Sequence, residues 1–188
     1  MAWNLPEGSR VLLDACCLIN LLATDRLEEI LRTLPCQFAT SRLIVTNEVF
    51  SLARPTDPGA PLKREMISSE RLERIEGLTI VETATEEEQA EFVRFAAEMG
   101  DGEASVCALA VTRGGAVATD DRRALRELSR MAPGVLTVQT PELLYEWARL
   151  SRAHNREISR ILLAVQQRAR FYPRRDAPRF DWWNRLSP

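Results

Sequence analysis

The chain contains 188 residues, of which 45% are hydrophobic, and it carries a formal net charge of −2 at pH 7. This length suffices for one well-packed core with a short appended segment. The sequence has neither an uncharged apolar run of about 18 residues nor the basic-then-apolar start of a signal peptide. We therefore expect a cytoplasmic protein with no membrane association.

The use of cysteine and histidine limits the chemistry that the chain can perform. Its four cysteines form no Cys-x-x-Cys pair, and His154 is the only histidine. Buried free thiols are the favoured interpretation of the cysteines. A single histidine makes a His-rich metal site, or a Ser/His/Asp or Cys/His mechanism, difficult to build. Any catalysis is therefore expected to depend on carboxylates.

The charge is unevenly distributed along the chain. Residues 149–188 include ten arginines and three acidic residues, so this segment carries +7 and the preceding residues carry −9. An acidic body with a basic tail favours a polyanionic partner. The simpler alternative is that these arginines form a solvated helix face.

The first predicted element is a strand that ends at an acidic residue. The apolar run after Arg10 predicts a short strand buried on both faces, and Asp14 follows its last residue. In open α/β sheets, ligands bind in the crevice outside the carboxyl ends of the strands, so Asp14 is well placed for chemistry. Alternatively, Asp14 caps the helix that follows.

The remaining pattern alternates helices with strands. Helices are predicted over residues 18–34, from Glu48 onwards, and over 63–74, 86–99, 101–110, 122–131, 142–150 and 151–170. Strands are predicted over residues 38–45, 78–81, 116–118 and 135–138, and a loop over 54–62. This alternation implies a central parallel sheet covered by helices.

Further acidic residues occur where predicted strands and helices meet, namely Glu48, Asp101, Glu103, Asp120 and Asp121. Because the carboxyl ends of parallel strands share one edge, these residues and Asp14 can meet although they are distant in sequence. Helix capping and interaction with the helix dipole would explain Asp101 and Glu103 without any catalytic role.

A cluster of acids at that edge would need a positive partner. Two carboxylates about 5 Å apart repel by roughly 3 kcal/mol at an effective dielectric constant near 20. No lysine or histidine lies beside these residues in the sequence. Hard oxygen ligands favour Mg²⁺ or Mn²⁺, which suits the hydrolysis of a phosphodiester.

Five short motifs follow one another between about residues 10 and 150. They are Leu12-Leu13-Asp14-Ala15-Cys16-Cys17-Leu18-Ile19, Thr46-Asn47-Glu48-Val49, Gly102-Glu103-Ala104-Ser105-Val106-Cys107-Ala108-Leu109-Ala110, Ala118-Thr119-Asp120-Asp121-Arg122-Arg123 and Leu136-Thr137-Val138-Gln139-Thr140-Pro141-Glu142-Leu143-Leu144. In these motifs the chain resembles the PIN-domain family, particularly the VapC-like toxin ribonucleases of toxin–antitoxin pairs. Each motif is weakly specific, but their order and spacing together are fairly specific.

The resemblance implies a three-layer α/β/α domain, endonucleolytic cleavage of RNA and an Mg²⁺ or Mn²⁺ cofactor. A cognate antitoxin and a homodimer are the protein partners that it implies. The catalytic, metal-binding acids implied are Asp14, Glu48, Glu103 and Asp121, with Asp101 and Asp120 as nearby metal ligands.

The chain departs from the family pattern at two positions. Cys16 stands where the family usually has serine or threonine, which removes a hydroxyl that would orient a carboxylate or a water. Glu103 stands where aspartate is commoner, and its longer side chain could shift the metal.

The expected organisation is a PIN-like nuclease domain over residues 1–150 and a helical, basic C-terminal extension over residues 151–188. The extension is rich in arginine and aromatic residues, which either bind RNA or anchor the tail on the protein's own core or on a second subunit. The residues predicted to bind RNA are Arg122, Arg123, Arg174, Arg175, Trp182 and Trp183. The alternative to a nuclease is a PIN-like RNA-binding or protein-interaction module that does not cleave.

Overall fold

A five-stranded parallel sheet forms the centre of the computed structural model, which describes residues 5–48, 50–54 and 63–187. In these residues the strands are β1 (Arg10–Leu13), β2 (Gln37–Ser41), β3 (Ser51–Arg54), β4 (Lys63–Met66), β5 (Leu78–Val81), β6 (Ala116–Ala118) and β7 (Leu136–Val138). The strand order of the central sheet is β5-β2-β1-β6-β7, and each adjacent pair is parallel. Strands β3 and β4 form a separate antiparallel pair.

Helices flank this sheet and give three layers, α/β/α, which confirms the predicted fold class. They are α1 (Ala15–Ala23), α2 (Leu27–Thr33), α3 (Arg42–Asn47), α4 (Ser69–Glu73), α5 (Glu86–Ala96), α6 (Asp101–Arg113), α7 (Arg122–Met131), α8 (Thr140–Ser151), α9 (Asn155–Ala164) and α10 (Phe180–Leu186). A π-helical segment, Val165–Ala169, continues α9. No helix within the described ranges is long and apolar enough to cross a membrane.

The core forms where apolar faces of the helices meet the sheet. Helix α6 packs on α5 and on the central strands β1, β2 and β6. Small residues such as Ala104 and Ala108 allow α6 to approach the sheet closely, and both are fully buried. Strand β1 is buried on both faces, as its uninterrupted apolar run predicts.

The second predicted strand, over residues 38–45, is wrong in its second half. Strand β2 ends at Ser41, whose Oγ accepts a hydrogen bond from the backbone N–H of Ile44 (3.1 Å) and so caps α3. Ile44 and Val45 are buried from a short helix, and a run of three apolar residues cannot distinguish this from a strand. Glu48 is consequently the C-cap of α3 and does not begin a helix; Val49 lies outside the described residues.

Two other predicted helices are interrupted. The helix predicted over residues 18–34 is divided into α1 and α2, with a left-handed residue, Asp25 (φ 55°), between them. The first residues of the predicted 63–74 helix instead form β4, which pairs with β3, and only α4 is helical. Of the predicted loop over 54–62, Arg54 belongs to β3 and the rest lies outside the described residues.

The C-terminal extension folds back onto the body of the protein. Ile158, Ile161 and Leu162 of α9, together with Trp183 of α10, belong to the same cluster of buried hydrophobic residues as the central sheet. Arg168 donates a hydrogen bond to the carbonyl oxygen of Ala23 (2.8 Å) in α1. These contacts bring residues 171–177 close to the carboxyl end of β6, where one wall of a pocket is formed.

Candidate acidic site at the carboxyl edge of the sheet

Asp14 occupies the centre of this edge, between the end of β1 and the start of α1. Its backbone N–H donates to the carbonyl oxygen of Ala118 (3.0 Å), which extends the pairing of β1 with β6. Its Oδ1 accepts from the N–H of Ala15 (2.6 Å), so Asp14 also caps α1. The position of Asp14 therefore fits both predicted roles, capping of α1 and a role in chemistry at the edge of the sheet.

The other oxygen of Asp14 is held by two side-chain donors. The hydroxyl of Thr119 donates to Oδ2 at 2.9 Å, and the thiol of Cys16 donates to the same atom at 3.0 Å. The hydroxyl that the family pattern places at position 16 is thus matched by the Cys16 thiol and supplemented by Thr119. The carboxylate keeps a fixed orientation in spite of the substitution.

Asp14 is nearly inaccessible, with 3% of its surface exposed. Burial raises its pKa above the ordinary value, because the charged carboxylate loses water. Hydrogen bonds from Cys16, Thr119 and Ala15 lower the pKa in part, and the negative charge of Asp121 raises it further. All three donors are neutral groups, so they leave the negative charge of Asp14 uncompensated.

Glu103 lies in the first turn of α6 and interacts with the negative charge of Asp14. Its Oε2 accepts a hydrogen bond from the N–H of Gly100 (3.1 Å), and this places the carboxylate over the helix N-terminus. Burial is the largest cause of its raised pKa, and the negative charge of Asp14 is the second. Asp121 and Glu48 raise the pKa of Glu103 further. Glu103 therefore interacts electrostatically with each of the other three acids implied by the family resemblance.

Asp121 is the N-cap of α7 and follows Asp120 after the end of β6. Its Oδ1 accepts from the backbone N–H groups of Arg123 (2.7 Å) and Ala124 (2.9 Å), which is the geometry of an N-cap. Because both of these bonds are made by Oδ1, Oδ2 keeps its capacity to bind a ligand.

Glu48 reaches the site from the end of α3. A Cβ atom built on Gly102 would lie 2.8 Å from Glu48 Oε1 and 3.2 Å from Ile44 Cγ1. The missing side chain of Gly102 thus makes room for the Glu48 carboxylate beside α6. Within the described residues, the Glu48 side chain has no hydrogen bond or ion pair, and it is exposed.

Asp120 lies beside the site but is already satisfied by other protein groups. Its Oδ1 accepts from the N–H of Thr140 (3.0 Å), and its Oδ2 accepts from Asn20 (2.9 Å), the Thr140 hydroxyl and the Cys17 thiol (3.3 Å). These bonds join β6, α1 and α8. Both carboxylate oxygens of Asp120 are thus engaged by protein donors, and its role as a metal ligand stays a prediction.

Asp101 is exposed on the first turn of α6, where Gly100 and not Asp101 is the N-cap. The structure gives it no hydrogen bond or ion pair within the described ranges. Asp101 serves as a useful control residue, since it carries the same charge on the same helix turn as Glu103.

The two cysteines of α1 form a compact group with Asp120. Among the described residues, they are the only group of three His, Cys, Asp or Glu residues whose possible ligand atoms all lie within 4.8 Å of one another. Burial raises the pKa of Cys17 well above its ordinary value. Although a hydrogen bond from Cys17 lowers it, the pKa of Cys16 is raised overall by burial and by the charges of Asp14 and Asp120. Protonated thiols are donors here and do not suit a hard cation.

The carboxylates of Asp14, Glu48, Glu103 and Asp121 do suit such an ion. No three of these four described residues bring oxygens within 4.8 Å of one another. Mg²⁺ is commonly held by one or two carboxylates and several waters, so a site for it does not require three of these oxygens together. The donor set therefore fits Mg²⁺ or Mn²⁺.

The residues predicted to bind RNA fall into two groups. Arg122, Arg123 and Arg175 are exposed, and Arg174 is partly exposed. Trp183 is fully buried and packs perpendicular to Phe171, with ring centroids 5.7 Å apart. Trp182 is partly buried and packs edge-on against Tyr145. For both tryptophans the structure favours anchoring of the tail over contact with RNA.

Two functional residues were not predicted from the sequence. Thr119, which orients Asp14, lies in the Ala118–Arg123 motif. Its contact with Asp14, 105 positions earlier in the chain, results from the pairing of β1 with β6. Gly102 appears as a helix-start residue, and only the structure shows that its missing side chain accommodates Glu48.

Comparisons of the chain with protein-family models, curated proteins and solved structures gave no match. The PIN-domain assignment therefore stays a prediction from the motifs.

Proposed function

We propose that the protein is a metal-dependent endoribonuclease whose active site is the acidic edge formed by Asp14, Glu48, Glu103 and Asp121. The observation that carries the proposal is Asp14, a buried carboxylate held by neutral donors and surrounded by other acids. Such an arrangement costs stability unless a cation joins it. A site for a divalent cation would account for that cost.

The side chains divide the work between binding and orientation. Asp14, Glu103, Asp121 and Glu48 would hold the ion, while Thr119 and Cys16 fix the direction of the Asp14 Oδ2 atom. A bound Mg²⁺ supplies activation of water and stabilisation of charge on a phosphate oxygen.

Arginines beside Asp121 support a nucleic-acid substrate. Arg122 and Arg123 are exposed at the start of α7, one and two residues after Asp121. Guanidinium groups bind phosphate oxygens by paired, charge-assisted hydrogen bonds, so these side chains can hold the backbone of RNA across the site.

The test is cleavage of a mixed structured RNA by the purified protein in Mg²⁺, Mn²⁺ or EDTA. We expect cleavage only with metal. Asp14→Asn removes the central ligand and should lower the rate at least about a hundredfold, since even residues that only support metal ligands contribute ten- to a hundredfold. Asp101→Asn removes an exposed charge from the same edge and should leave the rate within about twofold.

A metal-independent rate, or equal rates for the protein and Asp14→Asn, would contradict the nuclease assignment. Binding of RNA without cleavage in either metal would support the PIN-like RNA-binding module instead.

On the family resemblance alone, we also propose that the protein is the toxin of a toxin–antitoxin pair. Induced expression in a bacterial host should then arrest growth, and expression of Asp14→Asn to the same level should not. Equal growth of the two cultures would contradict the toxin role while leaving the nuclease assignment to the cleavage test.

A further inference from the structure

A pocket of about 330 Å³ opens next to the acidic edge, between the end of β6 and the C-terminal extension. Asp121 and Arg122 line one side, and Tyr172 and Arg174 line the other. This volume lies at the lower end of the range for small-molecule sites, so it fits a group no larger than one nucleotide. Any occupant would lie directly beside Asp121.

The ring of Tyr172 is held in place but not covered. Its hydroxyl donates to Asn184 Oδ1 (2.8 Å), and its ring packs perpendicular to those of Phe180 and Trp183, with centroids 6.3 and 6.5 Å away. Tyr172 is nevertheless 48% exposed. An exposed aromatic ring with a fixed orientation is a suitable surface for stacking an unpaired base.

The guanidinium of Arg174, a residue that lines the pocket, has an unsatisfied donor. Its Nη1 atom is buried and has no hydrogen-bond partner among the described residues. Its Nε lies 3.7 Å from a carboxylate oxygen of Asp176, a distance that leaves the fork-shaped group only weakly paired. A buried donor without a hydrogen-bond partner costs free energy. A bound anion that accepted this hydrogen bond would remove the cost.

The pocket lining contains two arginines, Arg122 and Arg174, and two acids, Asp120 and Asp121, so the positive charge that would favour a phosphate ester lies at the arginines. Arg122 and Arg174 supply positive charge on the two sides, and the extension to which Arg174 belongs carries +7 over residues 149–188. An aromatic platform next to a guanidinium is the combination that binds the base and the phosphate of a single-stranded nucleic acid.

We propose that this pocket binds one unpaired nucleotide of a single-stranded RNA substrate, with its base against Tyr172 and its phosphate against Arg174. This inference rests on the proposed ribonuclease function and deepens it. The extension thereby supplies a substrate-binding wall of the acidic site, which would restrict cleavage to RNA whose bases are unpaired near the scissile phosphate.

The experiment measures binding of a fluorescently labelled single-stranded RNA to the full-length protein in Mg²⁺. All proteins carry Asp14→Asn, so that the RNA stays intact. Tyr172→Leu should weaken binding about tenfold, because it removes one base-stacking contact. Tyr172→Phe keeps the ring and loses only the hydrogen bond to Asn184, and should bind within about twofold of its parent.

A second pair of variants tests the arginine. Arg174→Gln should weaken binding and reduce the dependence of binding on salt by about one phosphate contact. Arg175→Gln removes the same charge from the next residue, which is exposed and does not line the pocket. We expect this control to change binding less than Arg174→Gln does.

Equal binding by Tyr172→Leu and Tyr172→Phe, or no RNA binding by the parent protein, would overturn the pocket assignment. The circular dichroism spectrum of each variant should match that of its parent. If Tyr172→Leu does not fold, the arginine pair decides, and equal binding by Arg174→Gln and Arg175→Gln would overturn the assignment. The nuclease assignment is judged separately, by cleavage with Asp14 intact, so the two can fail independently.

Discussion

Two buried carboxylates of this protein are equally inaccessible, yet their surroundings shift their pKa values in opposite directions. Asp14 and Glu88 each have 3% of their surface exposed. Glu88 accepts hydrogen bonds from Arg113 and from the backbone N–H groups of Ala84 and Thr85. These interactions, with that of Arg113 the largest, lower its pKa to about 2. Burial instead raises the pKa of Asp14, whose donors are all neutral.

The difference separates an acid whose charge is compensated inside the protein from one whose charge is not. Glu88 belongs to α5 and Arg113 ends α6, so their ion pair connects the two helices that pack on each other. At Glu88 the chain itself supplies the arginine that compensates the buried charge. At the carboxyl edge the proposed function assigns the uncompensated charge of Asp14 to a bound cation. The predictions below test this contrast, beginning with the largest expected effect.

The first prediction concerns the compensated acid, Glu88. Glu88→Gln keeps the shape of the side chain but breaks the ion pair with Arg113, and should lower the free energy of unfolding at pH 7 by about 2 kcal/mol. Because the pKa of Glu88 falls from 4.5 to about 2 on folding, its stabilisation is present above pH 4.5 and is lost as the pH falls towards 2.

Urea unfolding at several pH values measures this difference. Glu87→Gln, an exposed neighbour on the same helix, should change stability by less than about 0.5 kcal/mol. If the two variants were equally stable at pH 7, the ion pair would not be the source of stability.

The second prediction concerns the space that Gly102 provides. Gly102→Ala would place a Cβ atom 2.8 Å from Glu48 Oε1, so the exposed end of Glu48 must move. We expect RNA cleavage to fall about tenfold, the size of effect seen when a supporting residue of a metal site is disturbed. Stability should change little, since the preference of a helix for alanine over glycine, about 1 kcal/mol, is offset by the crowding of the new Cβ atom against Ile44 Cγ1. A variant with full activity would indicate that the position of Glu48 does not matter.

The smallest effect is expected for the stability of Asp14→Asn. Asp14 has a raised pKa in the folded protein, so its contribution to stability is greatest below its unfolded pKa of 3.8 and is lost as the pH rises. Without metal, Asp14→Asn should therefore equal or exceed the parent protein at pH 7, by up to about 1 kcal/mol. The advantage should disappear as the pH is lowered towards 4. A marked loss of stability at pH 7 would show that the charge of Asp14 stabilises the fold.

Much of the fold could be predicted from the sequence, because local patterns determine it. Strands β5 and β6 and helix α7 match their predicted boundaries. The apolar residues after Ser41 misled the prediction, because a buried short helix and a buried strand have the same composition. The antiparallel β3–β4 pair was also missed, since β4 has an exposed and charged sequence, Lys63–Met66, without an apolar alternation.

The acids of the candidate site could be chosen from the sequence, but their partners could not. Asp14, Glu103 and Asp121 were identifiable because each stands beside a strand end or a helix start. The sequence contains no local signal that Thr119 donates a hydrogen bond to Asp14, because the two residues are 105 positions apart. The hydrogen bonds of Asp120 with Asn20 and Thr140 give no local signal either, since they span 100 and 20 positions. Long-range pairing creates them.

Calorimetric titration of the purified protein with Mn²⁺ at pH 7 tests directly whether the acidic edge binds a metal ion. We expect the protein to bind Mn²⁺, Asp14→Asn to weaken binding at least about tenfold, and Asp101→Asn to bind as the parent does. If the protein did not bind the ion, or if Asp14→Asn bound it equally well, the unpaired acids at the sheet edge would not form a metal site.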